Sequence, residues 1–172
     1  MPFLIFLHLI IYIISKSNPI FTQERIGLHG TKFKIYKFKS MLEKYDEYNI
    51  LLPDIERTYF LGNILRKLSI DELPQLLNVL MGTMSIVGPR PHMLYHTEVY
   101  SKAYTYYLLR HESKPGMTGM AQIKGYLGEI ITPRDLKKRV LWDIYYNKNA
   151  SIRLDIYIAF TTLQQIINKL IK

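Results

Sequence analysis

The run MPFLIFLHLIIYII, apolar apart from His8, is the feature that most narrows what this chain can fold into. As a helix, its fourteen residues reach about 21 Å at ~1.5 Å per residue. A bilayer core of about 30 Å asks for about 20 residues. The run is therefore too short to cross comfortably, and suits a segment that dips into one membrane face or lies in its interface. A signal peptide would need a basic stretch before the run and small residues at a cleavage site, but the basic residue, Lys16, comes after it. A helix buried in a soluble core is the alternative.

The rest of the chain must supply a core and an anionic partner. Its 172 residues, 48% of them hydrophobic, suffice for one folded domain and exclude a disordered chain. Lys and Arg number 23 against 14 acids, a net charge of +9, which implies a phosphorylated substrate, a membrane surface or nucleic acid. The basic residues are spread along the chain and no helix-turn-helix, zinc or RNP pattern occurs, which argues against nucleic acid. The absence of cysteine excludes disulfides, thiolate metal sites and cysteine nucleophiles.

Turn residues divide the chain beyond Lys16. Asn18-Pro19 and the Gly27/Gly30 pair bracket alternating stretches at Ile20–Thr22 and Lys32–Lys39, the pattern of a β-hairpin. Phe33, Ile35 and, after a bend, Phe38 form its packed face. Lys37 and Lys39 belong to a basic face that is either solvated or turned toward headgroups and substrate phosphates. Residues 41–60, with Pro53 in their middle, read as a mobile loop with a helix in part of it. Residues 92–112 read as a helix with Tyr95, Val99, Tyr106 and Leu109 at apolar positions, and 114–129 as a glycine-punctuated loop. Pro133 opens a helix over 133–148. The last segment is apolar at 156, 159, 160, 163, 166, 167, 170 and 171, an amphipathic helix that packs on the core, on a partner or on a membrane. The fold class is α+β, mainly helical.

The stretch RKLSIDELPQLLNVL carries the chemistry. Ser69 and Glu72 match a capping box, and acids in a first turn complement the helix dipole. Pro74 conflicts with that frame, because at the fifth helical position it strikes the carbonyl of Ile70. A start one or two residues later makes Asp71 itself the cap. Either way Asp71 lies at a helix N-terminus, where backbone N–H groups favour anions. Arg66, Lys67 and Arg90 suit phosphoryl oxygens. A carboxylate can attack phosphorus, and a neighbouring acid can hold Mg²⁺.

Taken in order, FTQERIG…FKIYKFKSM, LRKLSIDELPQLLNVL, MSIVGPRP and KPGMTGMAQIKG resemble the bacterial sugar transferases, the monotopic polyprenyl-phosphate phosphoglycosyltransferases. The resemblance implies transfer of a sugar 1-phosphate from a UDP-sugar to undecaprenyl phosphate with release of UMP, the first membrane step of capsule, exopolysaccharide, O-antigen or glycoprotein glycan synthesis. It implies Asp71 as nucleophile, forming a covalent phosphosugar-enzyme, and Glu72 as the acid associated with Mg²⁺. Arg66, Arg90, Lys37 and Lys39 become the phosphate-binding set, and Lys114, Gly116, Thr118, Gly119 and Gln122 a substrate loop. It implies residues 1–16 as part of a re-entrant membrane helix and 17–172 as one catalytic domain with interfacial helices. The resemblance further implies that this domain lies on the cytoplasmic face of the bacterial inner membrane, among lipids, with room for a homodimer and no role for nucleic acid. The stretch GPRPHMLYHTEVYSKAYTYYLLRHESKPG with KGYLGE is similar to the glucose or galactose 1-phosphate branch.

The chain departs from the family pattern in places. Met1-Pro2 falls where the family has Ser-Pro at the turn of its re-entrant helix, so the sequence is expected to hold the outgoing half of that helix, with either a true start upstream or a truncated product. Thr83 stands where Asp is usual, Met120 for Trp, Lys124 for Asn and Ala150 for Trp. A truncated or inactive membrane-associated homologue that acts by binding is the competing expectation.

Overall fold

The computed structural model describes residues 2–128 and 130–171. The chain forms two compact units, one of Met1–Thr22 with Tyr36–Pro74 and one of Gln23–Ile35 with Gln75–Lys172. The boundary runs through a hairpin of β1 (Ile20–Ile26) and β2 (Lys32–Phe38), whose open end belongs to the first unit and whose tip belongs to the second. A 3₁₀ turn at Leu28–Gly30 closes the tip, with the Gly27 amide donating to the Thr31 carbonyl at 2.7 Å.

In the first unit, α1 (Pro2–Ser15) is the apolar N-terminal helix. Leu7 and Ile11 point into a core shared with Phe38, Leu65, Ile20, Leu61, Ile70 and Leu73. Its other face leaves Ile5, Phe6, Leu9, Tyr12 and Ile13 exposed. The helix is therefore neither wholly buried nor wholly exposed: two turns of one stripe satisfy the protein core. Among the described residues no helix is long and apolar enough to cross a membrane. Residues 41–60 hold the helix expected in part of them and add backbone pairing that was not expected. Isolated antiparallel bridges join Met41 to Thr58 and Tyr45 to Leu51, and helix is confined to α2 (Asp54–Arg57). Backbone pairing rather than apolar periodicity organises this stretch, so hydropathy does not reveal it. Next, α3 (Phe60–Lys67) lays Gly62 against the Ser40 carbonyl, an approach that any side chain at position 62 would block.

The second unit begins with α4 (Gln75–Leu80), an inverted helix. Polar Gln75 and Asn78 are buried, while Leu76, Leu77 and Leu80 are exposed. Then β3 (Ser85–Val87) pairs in parallel with β4 (Gly116–Thr118), Ser85 opposite Gly116 and Val87 opposite Thr118. A parallel pair needs a long crossover, and α5 (Leu94–Ala103) with a 3₁₀ helix at Tyr107–Glu112 supplies it. The expected single helix over 92–112 is thus broken at Tyr104, whose backbone is extended. The buried residues beyond the break are Tyr107, Arg110 and His111 rather than Tyr106 and Leu109. The expected loop at 114–129 contains β4 and the short α6 (Met120–Ile123).

Pro133 does open α7 (Pro133–Asn149), and Thr132 and Asp135 cap it reciprocally. The Thr132 Oγ1 accepts from the Asp135 amide at 3.2 Å, and the Asp135 carboxylate accepts from the Thr132 amide at 3.0 Å. The last helix, α8 (Ile152–Ile171), docks through Ile158 and a polar edge. Asp155 accepts from the Tyr146 hydroxyl at 2.8 Å, Thr162 pairs with Thr118 at 2.6 Å, and Gln165 donates to the Ile123 carbonyl at 3.0 Å. Its apolar stripe, Ile156, Phe160, Leu163, Ile167 and Leu170, faces outward.

Candidate functional site

Pro74 is accommodated by breaking the helix rather than by shifting its start. After α3 the chain turns at Ser69, whose left-handed backbone (φ 57°) is one that non-glycine residues seldom adopt. A single 3₁₀ turn, Ile70–Glu72, follows, and α4 begins only after the proline. The expected capping box is absent: the Ser69 side chain makes no cap hydrogen bond. The reason is its backbone, since an N-cap needs extended φ and ψ. Ile70 and Leu73, three apart, plug the first unit's core, and that anchorage fixes the turn carrying Asp71 and Glu72. Asp71 lies within this turn, not at the start of an α-helix, and is only 8% exposed.

Lys37 reaches Glu72 of the dyad. Strand alternation sends Phe38 into the core and Lys37 to the other face, where its Nζ lies 2.7 Å from Glu72 Oε1. The other two predicted cations of this unit pair elsewhere. Lys39 donates to Ser17 Oγ at 2.9 Å and lies 3.8 Å from Glu43, and Arg66 lies 3.8 Å from Asp54. Metal fit can be judged from the donors. Among the described residues no cluster of three His, Asp or Glu side chains exists. Mg²⁺, however, is commonly held by one or two carboxylates with substrate phosphate and water completing its shell. Half-buried Glu72 beside Asp71 fits that mode and not an all-protein cage.

In the second unit the Gly88-Pro89-Arg90-Pro91 segment follows β3. The Gly88 amide donates to the Thr118 carbonyl at 2.8 Å and the Gly116 amide to the Pro89 carbonyl at 3.0 Å. Gly116 and Gly119 lie directly against the Gly88 backbone, where a Cβ on either would collide. These glycines thus have a steric role independent of any ligand, and the Thr118 hydroxyl is occupied by Thr162. Lys114 is exposed. Gln122 donates to the Met117 carbonyl at 3.4 Å and keeps a buried Oε1 with no hydrogen bond among the described residues. A small cavity of about 10 Å³ is lined by Arg90, Arg110, His111, Ser113 and flanking prolines.

Behind that segment lies a polar core that no sequence pattern announced. Arg110 and Asp143 pair at 2.8 Å with both side chains 1% exposed. The Tyr107 hydroxyl lies 2.7 Å from His92 Nδ1, and Arg139 reaches His92 Nε2 at 3.4 Å and also donates to the Gly128 carbonyl. Burial and the nearby Arg110 and Arg139 guanidiniums hold His92 well below the usual imidazole range. Burial, then Arg110, lowers His111 to about 4. Burial also pushes the Asp143 carboxyl up, despite Arg110 beside it. The available signal was a lone acid, Asp143, inside the apolar run Val140–Tyr146.

The family model described as bacterial sugar transferase matches residues 1–169. The chain is 44% identical over 151 residues to a UDP-glucose:undecaprenyl-phosphate glucose-1-phosphate transferase of Klebsiella pneumoniae, covering 87% of this chain and 32% of that protein. It is 43% identical over 164 residues to the protein of the same name from Escherichia coli K12, covering 94% and 35%. It therefore spans about a third of the length of these two relatives. It is also 39% identical over 168 residues to the exopolysaccharide production protein PSS of Rhizobium leguminosarum bv. phaseoli, covering 94% of this chain and 84% of that protein. With the match running through nearly every residue, the chain belongs to the bacterial sugar transferase family.

Proposed function

We propose that this chain transfers a sugar 1-phosphate from a UDP-sugar, with glucose or galactose as the sugar, to undecaprenyl phosphate. An Asp71 carboxylate oxygen attacks the β-phosphorus, the bond to the bridging oxygen breaks, and UMP leaves. A phosphate oxygen of the lipid then attacks the same phosphorus and restores the Asp71 carboxylate. The observation that carries this reading is the dyad itself, a largely buried Asp71 on a core-anchored turn beside a Glu72 that is ion-paired to Lys37. A shielded acyl phosphate is protected from water until the lipid arrives. At 8% exposure, Asp71 must be reached by displacing neighbouring side chains.

Mg²⁺, held through Glu72 and substrate phosphates, would screen the carboxylate and pyrophosphate that must approach each other. Arg90 serves as a phosphate ligand. Lys37, ion-paired to Glu72, exchanges that carboxylate for a substrate phosphate. The exposed apolar faces of α1 and α8 suit the cytoplasmic leaflet of the inner membrane, where a lipid acceptor and a cytoplasmic donor meet. The test is UMP release from a panel of UDP-sugars with membranes and Mg²⁺, together with mass measurement of the protein after donor alone. A sugar-phosphate adduct on the peptide containing Asp71 is expected. UMP release that persists at the wild-type rate in Asp71→Asn would overturn the mechanism.

A further inference from the structure

The backbone from Val87 to His92 is held carbonyl by carbonyl. The Val87 oxygen accepts from the Tyr146 hydroxyl at 3.2 Å, Pro89 from the Gly116 amide at 3.0 Å and Arg90 from Arg110 Nη2 at 2.7 Å. Pro91 accepts from Arg25 Nη1 at 3.4 Å and His92 from the Ile26 amide at 3.5 Å. The shortest of these five comes from Arg110. The same guanidinium gives Nε and Nη2 to Asp143 Oδ2 at 2.9 and 2.8 Å, so a single sealed group bridges α7 and the Arg90 carbonyl.

A buried ion pair is a poor way to gain stability, because desolvation consumes most of the attraction and well-packed apolar residues often do as well. An apolar pair cannot, however, donate to a carbonyl. We infer that Arg110, oriented by Asp143, is a positioning residue: it fixes the main chain at Arg90 and so aims the Arg90 side chain. This rests on the reading of Arg90 as a phosphate ligand. The planar fork of Arg suits the task, since a lysine ammonium does not serve an acid and a carbonyl from one rigid plane.

The experiment uses the full chain in membranes or nanodiscs with Arg110→Lys, Asp143→Asn, Arg90→Ala and the double variant Arg110→Lys/Arg90→Ala. Amide hydrogen exchange at segment 88–92, read at the Gly88 amide and at the Gly116 and Ile26 amides that donate to its carbonyls, is followed beside that of α7. In Arg110→Lys, exchange at 88–92 is expected to rise about tenfold or more while α7 keeps its protection, with a smaller rise in Asp143→Asn. UDP-sugar turnover is expected to fall about tenfold or more in kcat/KM, but by less than about threefold once Arg90 is already alanine. Unchanged exchange at 88–92, or exchange that rises equally throughout in both variants, overturns the inference. An Arg110→Lys penalty that is the same with and without Arg90 also overturns it. Wild-type turnover in Arg90→Ala would instead remove Arg90 from the proposed chemistry, and the exchange data alone would then decide whether Arg110 holds the segment.

Discussion

Two ion pairs of nearly equal length stand in two different environments. Lys37 and Glu72 meet at 2.7 Å with side chains 18% and 14% exposed, while Arg110 and Asp143 meet at 2.8 Å with both at 1%. The first joins a strand to a one-turn 3₁₀ helix and keeps contact with water. The second is enclosed among Tyr107, α7 and the carbonyl of Arg90. A charge that still touches solvent can exchange its partner for a metal or a phosphate at modest cost. A sealed charge has no water to fall back on, and losing one member strands the other in a low dielectric. Equal distances thus suit unequal ends: an exchangeable pair beside the proposed nucleophile Asp71, and a fixed pair that contacts the Arg90 backbone.

The largest expected effect breaks the chemistry without breaking the fold. Asp71→Asn keeps side-chain shape but removes the proposed nucleophile, and losses on removing a nucleophile are large, here an expected fall of at least about 10³-fold in turnover. Its melting temperature should stay within a few degrees of wild type. Turnover within tenfold of wild type would move the chemistry out of the exchangeable region. Next comes Asp143→Ala, which leaves Arg110 charged and sealed. The expected cost is about 3–5 kcal/mol, a fall of about 10 °C in melting temperature for a chain of this size. A loss under about 1 kcal/mol would show that water or another group replaces the carboxylate and that the pair is not sealed.

Protonation sharpens the same contrast. His111 sits beside Arg110 and titrates at about 4 in the folded protein, against an ordinary value of 6.5. Between those values the unfolded chain binds a proton that the folded one refuses. Stability from this group is therefore complete above 6.5 and is lost as pH falls toward 4. Its share is on the order of 2 kcal/mol. His111→Phe keeps the ring that packs edge-on against Tyr107 and removes the titration. Melting temperature should then fall less steeply over that window than in wild type, and identical slopes would show that His111 does not titrate as its surroundings require.

The sequence conveyed these two regions unequally. Near the dyad, Pro74 marked a conflict with a helix capped at Ser69, and the hairpin pattern set Lys37 on a face apart from Phe38, but the later helix start expected from Pro74 is not how the chain resolves that conflict. What misled was Ser69: the capping-box pattern is local, and the left-handed turn that defeats it is imposed by Ile70 and Leu73 reaching the core. The hairpin, α7 with its Thr132 cap and the amphipathic α8 follow from periodicity and turn residues. The parallel β3–β4 pair did not, because three-residue strands carry no period and their partner is about thirty residues away. Nor did the Arg110–Asp143 pair, since nothing local marks two charges separated by 33 positions as partners. Which face of α8 packs was likewise invisible. Periodicity locates an apolar stripe, and only the docking of Asp155, Thr162 and Gln165 reveals that the stripe faces outward.

The smallest expected effect is the most direct test of exchangeability. Lys37→Met retains the aliphatic stem and deletes the ammonium beside Glu72. Because both side chains keep some contact with water, Glu72 left alone recovers hydration, and the expected cost is about 1 kcal/mol. That corresponds to about 2–4 °C in thermal melting, a small fraction of the Asp143→Ala loss. Lys37→Arg should restore it, because the guanidinium reaches a carboxylate equally well. A Lys37→Met loss as large as that of Asp143→Ala would mean that the ammonium is as structural as Arg110. The dyad would then have no exchangeable partner to surrender to an incoming phosphate, and the distinction between the two regions would fail at the place where the chemistry needs it.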